Sequence, residues 1–371
     1  MICCESCFND LYIKSIIKSL NQKGECDVCG SINKYVYDTD SNNELVEKFN
    51  ELIDIYSVVS DIKNYPIEKS KMLKDDLIDR WKIFNTSSEK AYKIIKEICK
   101  EKYECNTKLF TQPVGIAELI MEDYLKEHSI FANSSLKEFK NEIQRKNRYH
   151  LKGINKEVLG IYFSYLQDEF KAGEKMYRGR ISNKQGYNNL QMGAPPYEKT
   201  LAGRINSQGI RCLYLADTED TAICEIRAKA YNYVTIGTFV LRRDIKIIDI
   251  SKINSISPFE GELDITQYSV NKIHLDEIEE ELTRPLREEN GVLEYVPIQY
   301  ICDFIKSLGY DGIKYKSTMN EENEGYNIAI LNEQLIECLD KDFVADKGIE
   351  CIETKVFDIR VSYKKSFVMQ Y

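Results

Sequence analysis

Residues 203–227 read GRINSQGIRCLYLADTEDTAICEIR, and this stretch predicts a loop, a strand and a helix in succession. Two glycines frame the loop, and the apolar run Cys212–Ala216 is typical of a strand. Asp217 and Thr218 are good caps for the helix that follows. One basic, one aromatic and one acidic side chain lie on these three elements, and we predict that they converge on one pocket. They are Arg204, Tyr214 and Glu225.

The sequence around this stretch has the pattern that is typical of an α+β fold. From Lys175 onward, short β-branched runs alternate with helical stretches and short connections. We predict strands at 210–215, 234–241, 245–250, 312–315, 326–331 and 356–361, and helices at 221–231 and 298–308.

The region 40–175 is predicted to be mostly helical, because its apolar residues recur at helical spacing. One helix is expected around 45–56, with Ser41 or Asn42 as its cap. Further helices are expected within 81–98, over 116–125, and from 158 to about 171.

Residues 1–38 carry two Cys-x-x-Cys pairs separated by eighteen residues. Such pairs are the usual signature of a tetrahedral four-cysteine zinc site, since each pair brings two thiolates to one ion. We predict zinc ligands at Cys4, Cys7, Cys26 and Cys29, with Cys3 as an alternative to Cys4. Because four protein ligands fill the coordination sphere, the zinc is expected to be structural.

Composition limits the function classes. The 371-residue chain has a formal net charge of −9, which argues against a general nucleic-acid binder. Residues 176–246 hold eleven Lys/Arg against six Asp/Glu, so this segment suits a small anionic ligand or is an ordinary solvated basic face. The N-terminus lacks a signal-peptide pattern and no apolar run approaches the roughly 20 residues of a membrane span. We therefore expect a cytoplasmic protein with reduced cysteines and no membrane partner.

The C-terminal half resembles the RES domain family, named for its Arg, Glu and Ser. The resemblance lies in several motifs in the same order. They are Tyr177-Arg178-Gly179-Arg180, Gly203-Arg204-x-Asn206-x2-Gly209, Leu213-Tyr214-Leu215-Ala216, Thr221-Ala222-x2-Glu225, Tyr295-Val296-Pro297-x-Gln299 and Tyr310-Asp311-Gly312-Ile313-x-Tyr315-x-Ser317. The N-terminal half, with its cysteine pairs followed by helices, is similar to the HEPN-RES region attached to many RES proteins.

The resemblance implies an ADP-ribosyltransferase-like α+β fold that binds NAD⁺ and cleaves its nicotinamide–ribose bond, by hydrolysis or phosphorolysis. It also implies a toxin neutralised by an antitoxin or another inhibitory protein. Arg204, Tyr214 and Glu225 would be catalytic, and Arg178 and Ser317 would bind substrate. The predicted domains are a zinc module at 1–38, a helical HEPN-RES-like domain at 39–171 and a RES catalytic domain at 172–371. Whether the chain forms a homo-oligomer stays open.

Three other functions remain open at this point. The same cleft would serve an ADP-ribosyltransferase that modifies a macromolecule, or a non-enzymatic module that senses NAD⁺. Arg145-x4-His150 also matches the element of HEPN ribonucleases. The chain has only three histidines, and it lacks the glycine-rich motifs of dinucleotide-binding and P-loop folds. NAD⁺ binding would therefore not use a Rossmann-type loop.

Overall fold

The computed structural model describes residues 1–132, 134–284, 292–319, 325–337 and 348–360. The chain divides into two compact units. The first comprises Met1–Ser135, Gly153–Asn155 and Asn254–Leu275, and the second comprises Leu136–Lys152, Lys156–Ile253 and Asp276–Tyr371. The three predicted domain ranges stay predictions. Within the described ranges, no helix is long and apolar enough to cross a bilayer.

The first unit combines short helices with two small sheets. Its helices are α1 (Leu11–Ser19), α2 (Val46–Asp54), α3 (Leu73–Asp79), α4 (Ser88–Ile98), α5 (Lys100–Cys105), α6 (Thr107–Thr111) and α7 (Glu122–His128). Its strands are β1 (Ile2–Cys4), β2 (Lys23–Gly24), β3 (Lys34–Asp38), β4 (Ser57–Val58), β5 (Lys71–Met72) and β6 (Pro113–Gly115). The orders are β1-β3-β2 and β4-β6-β5, with antiparallel pairing throughout.

The second unit is built on one twisted, mixed sheet. Its strands are β7 (Gln167–Phe170), β8 (Lys175–Ser182), β9 (Leu213–Ala216), β10 (Tyr233–Leu241), β11 (Ile245–Asp249), β12 (Gly312–Lys316), β13 (Tyr326–Ile330) and β14 (Ile349–Asp358). Their order is β14-β10-β8-β9-β13-β12-β11-β7. Among these pairs β11 and β12 are parallel and the rest are antiparallel.

Helices complete the second unit. They are α8 (Leu136–Arg145), α9 (Lys156–Tyr165), α10 (Glu219–Glu225), α12 (Val296–Ser307) and α13 (Glu333–Glu337). The long helix α11 (Ile265–Thr283) contributes residues to both units. A buried core of Met192, Leu213, Phe239, Ile247 and Ile328 lies on the sheet. Because most of these residues are β-branched or aromatic, they suit the pleated surface on which they pack. The mixture of helix and sheet confirms the α+β class.

The type of a predicted element, helix or strand, is correct more often than its first and last residues are. The helix expected over 116–125 is wrong as one element, because Ala117–Ile120 is a short 3₁₀ turn and α7 starts only at Glu122. The helix expected over 221–231 ends at Glu225. The caps proposed at Ser41 or Asn42 are also wrong, since α2 starts after Leu45 with no side-chain cap. The last predicted strand, 356–361, is the end of the longer β14; residue 361 lies outside the described residues.

Candidate functional site

A pocket of about 330 Å³ opens on the second unit. Strands β8, β9, β12 and β13 contribute to its wall, together with α10 and the loop that precedes β9. Four of the five side chains predicted to act together line this pocket, namely Arg178, Arg204, Tyr214 and Glu225. The fifth, Ser317, is hydrogen-bonded to Glu225.

Helix α10 carries Glu225 into the pocket at its last residue. The helix begins at the predicted cap, where the Thr218 hydroxyl accepts a hydrogen bond from the Thr221 amide. It lies close to β8, because a Cβ added to Gly179 would stand 2.7 Å from the Ala222 carbonyl oxygen. Glycine at position 179 therefore allows the close approach of strand and helix that brings Glu225 and Arg178 to the same pocket.

Two neutral donors hold the Glu225 carboxylate. The Ser317 hydroxyl donates to Oε1 at 2.6 Å, and the Asn327 amide donates to the same oxygen at 2.7 Å. Ser317 follows β12 and Asn327 lies in β13, so neighbouring strands supply the two donors. Asn327 was missed from sequence, because one asparagine in an apolar strand gives no signal until its partner is known.

Arg178 is a cation in a poorly solvated place. Its Nη1 donates to the Gly193 carbonyl at 2.9 Å. Burial lowers the pKa of Arg178 to about 10, and the neighbouring Arg180 charge adds to the effect. Among the described residues, Arg178 has no acidic partner within ion-pair distance. A partly buried charge of this kind favours an anionic ligand, since an unpaired charge is costly where it is shielded from water.

The Arg204 guanidinium is anchored at the end of α11. Its Nη1 donates to the Leu282 carbonyl at 2.5 Å and its Nη2 to the Arg284 carbonyl at 2.9 Å. Carbonyls at a helix C-terminus lack partners within the helix and carry partial negative charge, so they suit a guanidinium. In this structure Arg204 thus fixes the loop against α11 while its side chain lines the pocket.

Tyr214 combines a ring in the pocket wall with a fully engaged hydroxyl. The hydroxyl donates to Asn206 Oδ1 at 2.7 Å and accepts from the Ile205 amide at 3.2 Å. Burial, with a smaller effect of Cys212, raises the pKa of Tyr214 well above its usual range, so the hydroxyl keeps its proton. A Cβ at Gly203 would lie 2.7 Å from this hydroxyl, which explains the glycine there. Tyr214 therefore braces the loop 203–209 and presents its ring to the pocket.

Gln299 gives the same loop a second brace. Its amide nitrogen donates to the carbonyls of Gly203 at 2.6 Å and Asn206 at 2.9 Å, and its oxygen accepts from the Ser207 hydroxyl. Asn206 and Gln299, which both belong to the sequence motifs, are therefore buried residues that hold this loop in place. Backbone polar groups buried in a loop must find such partners.

Positive charge dominates the lining of the pocket. Glu225 is accompanied by four cationic residues, Arg178, Arg204, Arg227 and Lys316. Arg227 takes the left-handed backbone conformation, with φ of 49°. Non-glycine residues in that conformation are uncommon and cluster at functional sites. The arrangement suits a ligand with negative charge that presents a reacting atom to one carboxylate.

The four predicted metal ligands come together in the first unit. The sulfurs of Cys4, Cys7, Cys26 and Cys29 all lie within 4.8 Å of one another. The Sγ–Sγ distances are 3.5 Å for Cys4–Cys29, 3.7 Å for Cys7–Cys26 and 3.9 Å for Cys4–Cys7. A tetrahedral zinc with bonds of about 2.3 Å requires sulfur separations of about 3.8 Å. The cluster therefore fits a metal ion, and Cys3 is buried but does not belong to it.

Arg145 and His150, the pair expected for a HEPN-type ribonuclease, lie at the end of α8 and in the segment that follows it. Arg145 is the last residue of the helix, in a cleft lined by several glutamates. His150 is exposed, and its backbone amide donates to Asn147. Lys137 and Lys140 line the same cleft, so its charge is mixed. The ribonuclease function remains without support from the structure.

Comparison with known protein families gives a match that includes most of the pocket-bearing sheet. Residues 177–347 match the family model of the RES domain. The matched range includes all five of the predicted site residues, Arg178, Arg204, Tyr214, Glu225 and Ser317. A solved structure, the M. tuberculosis MbcT-MbcA toxin–antitoxin complex, is similar over 54% of this chain and 91% of its own, with 12% identity and a TM-score of 0.32. No curated protein matches the chain.

Proposed function

We propose that the RES domain binds NAD⁺ in the pocket described above and cleaves the bond between nicotinamide and ribose. The observation that carries this proposal is that one carboxylate, Glu225, lines the same pocket as the cationic side chains of Arg178 and Arg204. An ADP-ribosyltransferase-like fold for the second unit belongs to the same proposal. The pocket volume lies within the roughly 300–1,000 Å³ typical of small-molecule sites.

The residues suit this bond cleavage. Loss of nicotinamide leaves positive charge on the ribose, as in the oxocarbenium-like state of glycoside hydrolysis. The Glu225 carboxylate would stabilise that charge and orient the incoming water or phosphate. Arg178 would pair with the pyrophosphate, since its guanidinium is poorly solvated and has donors in a fixed geometry. The Tyr214 ring would stack on nicotinamide.

Two further roles complete the proposal. We propose that Cys4, Cys7, Cys26 and Cys29 hold a structural zinc ion, for which their sulfur spacing is suitable. The match to the RES domain also leads us to propose that the enzyme acts as a toxin that depletes NAD⁺ and is restrained by a protein covering the pocket. Transfer of ADP-ribose to a macromolecule is the competing use of the same pocket.

The test is NAD⁺ turnover by the purified full chain, with and without inorganic phosphate, followed by mass analysis of the products. ADP-ribose in both conditions identifies a glycohydrolase, and ADP-ribose-1″-phosphate formed only with phosphate identifies a phosphorylase. ADP-ribose attached to protein identifies a transferase. No loss of NAD⁺ under any condition contradicts the proposed activity.

Glu225→Gln tests the assignment of the carboxylate. Gln keeps the shape of the side chain and a hydrogen-bond acceptor but removes the negative charge, so kcat should fall by at least about 100-fold, as when other charge-stabilising groups are removed. The matched control is Glu219→Gln, on the same helix but paired with Lys355 rather than lining the pocket. Full activity of Glu225→Gln would show that the chemistry lies elsewhere.

A further inference from the structure

We propose that Asn327 is a positioning residue for Glu225, and that together with Ser317 it commits Oε1 of the carboxylate to the protein and leaves Oε2 to face the ligand. This inference rests on the proposed function for the identity of the ligand. The geometry on which it is argued is independent of that identity.

The backbone holds Asn327 firmly in place. The residue lies in β13, pairs with Ala216 of β9 on one side and Tyr315 of β12 on the other, and is 4% exposed. Its side chain lines the pocket and donates from Nδ2 to Glu225 Oε1. A donor on a strand paired on both edges has little freedom to follow the carboxylate, so the carboxylate must take its position from the strand.

Ser317 is the second donor to Glu225, and its neighbours determine the direction in which its hydroxyl proton points. The Met319 amide donates to the Ser317 hydroxyl oxygen at 3.4 Å, while the hydroxyl donates its own proton to Glu225 Oε1. Its backbone amide is bound to the Gly325 carbonyl at 2.9 Å. Because a hydroxyl has a single proton, this pattern makes Ser317 a donor to Glu225.

Both donors therefore converge on one oxygen. Within the described ranges, Glu225 has hydrogen-bond partners at Oε1 alone, and these are Ser317 and Asn327. A carboxylate held at one oxygen can present the other in a fixed direction, which is the condition for stabilising charge at a defined ribose atom. Oε2 is thus the oxygen assigned to the reaction.

Asn327→Asp is the sharpest test, because the change keeps the shape and replaces the donor with a carboxylate oxygen. At pH 8 the two carboxylates repel each other and the donor is lost, so kcat should fall at least about 100-fold with the KM for NAD⁺ changed less than about threefold. At lower pH the pair shares one proton, and a protonated Asp at 327 again donates to Oε1. The ratio of variant to wild-type kcat should therefore rise by up to about tenfold per pH unit between pH 8 and pH 5.

The chain offers a matched control for this variant. Asn332 Nδ2 donates to Asp311 Oδ1 at 2.6 Å, the same amide–carboxylate contact, and neither residue lines the pocket. Asn332→Asp should lower stability without changing the pH dependence of kcat. If Asn327→Asp fails to fold, Asn327→Leu keeps the branched shape of the side chain, removes the amide donor and adds no charge. It should lose kcat to a similar degree with no recovery at low pH, and wild-type kcat in Asn327→Leu would overturn the proposal.

A second readout separates this inference from the proposed activity. The titration of the Glu225 side-chain carboxyl can be followed by carbon NMR in protein labelled at Glu and assigned with Glu225→Gln. Asn327→Asp should raise its midpoint by more than about one pH unit, and Asn332→Asp should leave it unchanged. An unchanged midpoint would overturn the positioning role. A raised midpoint in a protein that does not consume NAD⁺ would sustain that role and reject the proposed function.

Discussion

At the scale of single residues, the pocket combines a partly buried cation with a carboxylate held by two hydrogen bonds. Arg178 has a pKa lowered to about 10 by burial and by Arg180. Because the pKa of Arg178 in the folded protein lies below that of an arginine in the unfolded chain, its charge lowers the stability of the fold by the full amount at pH values below about 10. This penalty shrinks as the pH rises above that value. A residue kept at a cost to stability is expected where it binds an anion.

Arg178→Met tests this interpretation. Removing the charge relieves the penalty but leaves the Gly193 carbonyl without its donor, so the free energy of unfolding at pH 7 should change by less than about 1 kcal/mol. The affinity for ADP-ribose should fall by at least about tenfold, the value of a lost charge-assisted hydrogen bond. Urea unfolding and calorimetric titration measure the two quantities.

Arg180→Met is the control, because Arg180 lies two residues further along β8 and is not among the residues that line the pocket. Its side chain donates to the Gln191 carbonyl and stacks over the Tyr187 ring. It should lose some stability and keep its affinity. Equal affinity losses in both variants would indicate a general effect of charge instead of a contact.

At the scale of elements, the site depends on the fit between β8 and α10. The sequence predicts the start of α10 correctly, since Thr218 is its cap. It does not predict the end, because Arg227 and Tyr231 adopt left-handed backbone conformations without glycine and so leave no breaker signal. The helix packs through Ala222 against Ala216, Val234 and Ile236 in a small apolar cluster, a tertiary contact that local sequence does not reveal.

Gly179→Ala should disturb this fit. The added methyl would meet the Ala222 carbonyl oxygen at 2.7 Å and the Ile226 side chain at 3.2 Å, so α10 must shift. We expect a loss of about 1–3 kcal/mol in the free energy of unfolding, typical of overpacking, and a loss of NAD⁺ turnover that persists where the variant is fully folded. Urea unfolding and turnover at low temperature check both.

Gly160→Ala provides the comparison. Gly160 lies inside α9, and an added Cβ would make ordinary contact with the Phe304 ring at 3.8 Å. Alanine is favoured over glycine within a helix by roughly 0.5–1 kcal/mol, so this variant should be as stable as wild type or more so. If Gly179→Ala is as stable and as active as Gly160→Ala, then α10 can shift without cost and the close fit to β8 is not required.

At the scale of the whole molecule, the cysteine cluster is the feature with the largest expected effect on folding. Binding energy of a structural metal is folding energy, because the unfolded chain has no preformed site. Cys26→Ser should therefore lower the zinc content of the purified protein and its thermal stability together. Elemental analysis and thermal unfolding measure them, and a chelator should reproduce the stability loss in the wild-type protein.

Cys99→Ser is the control for that variant. Cys99 is equally buried, at 1% exposure, but it lies outside the cluster. Its replacement should cost stability through a buried hydroxyl and leave the zinc content unchanged. Equal zinc content in Cys26→Ser and wild type would reject the four-cysteine site.

Local patterns in the sequence determined the α+β class, the four cysteines that cluster, and four side chains of the pocket. These depend on residue type at short spacing: Cys-x-x-Cys pairs, β-branched runs and the block at 203–227. Only the tertiary structure decided that Asn327 joins Ser317 at Glu225, and that Arg204 and Tyr214 also brace their own loop. Asn327 is 102 residues away from Glu225 in the chain, and the pairing of β13 with β9 and β12 brings it there. Such contacts follow from strand order, which no local spacing encodes.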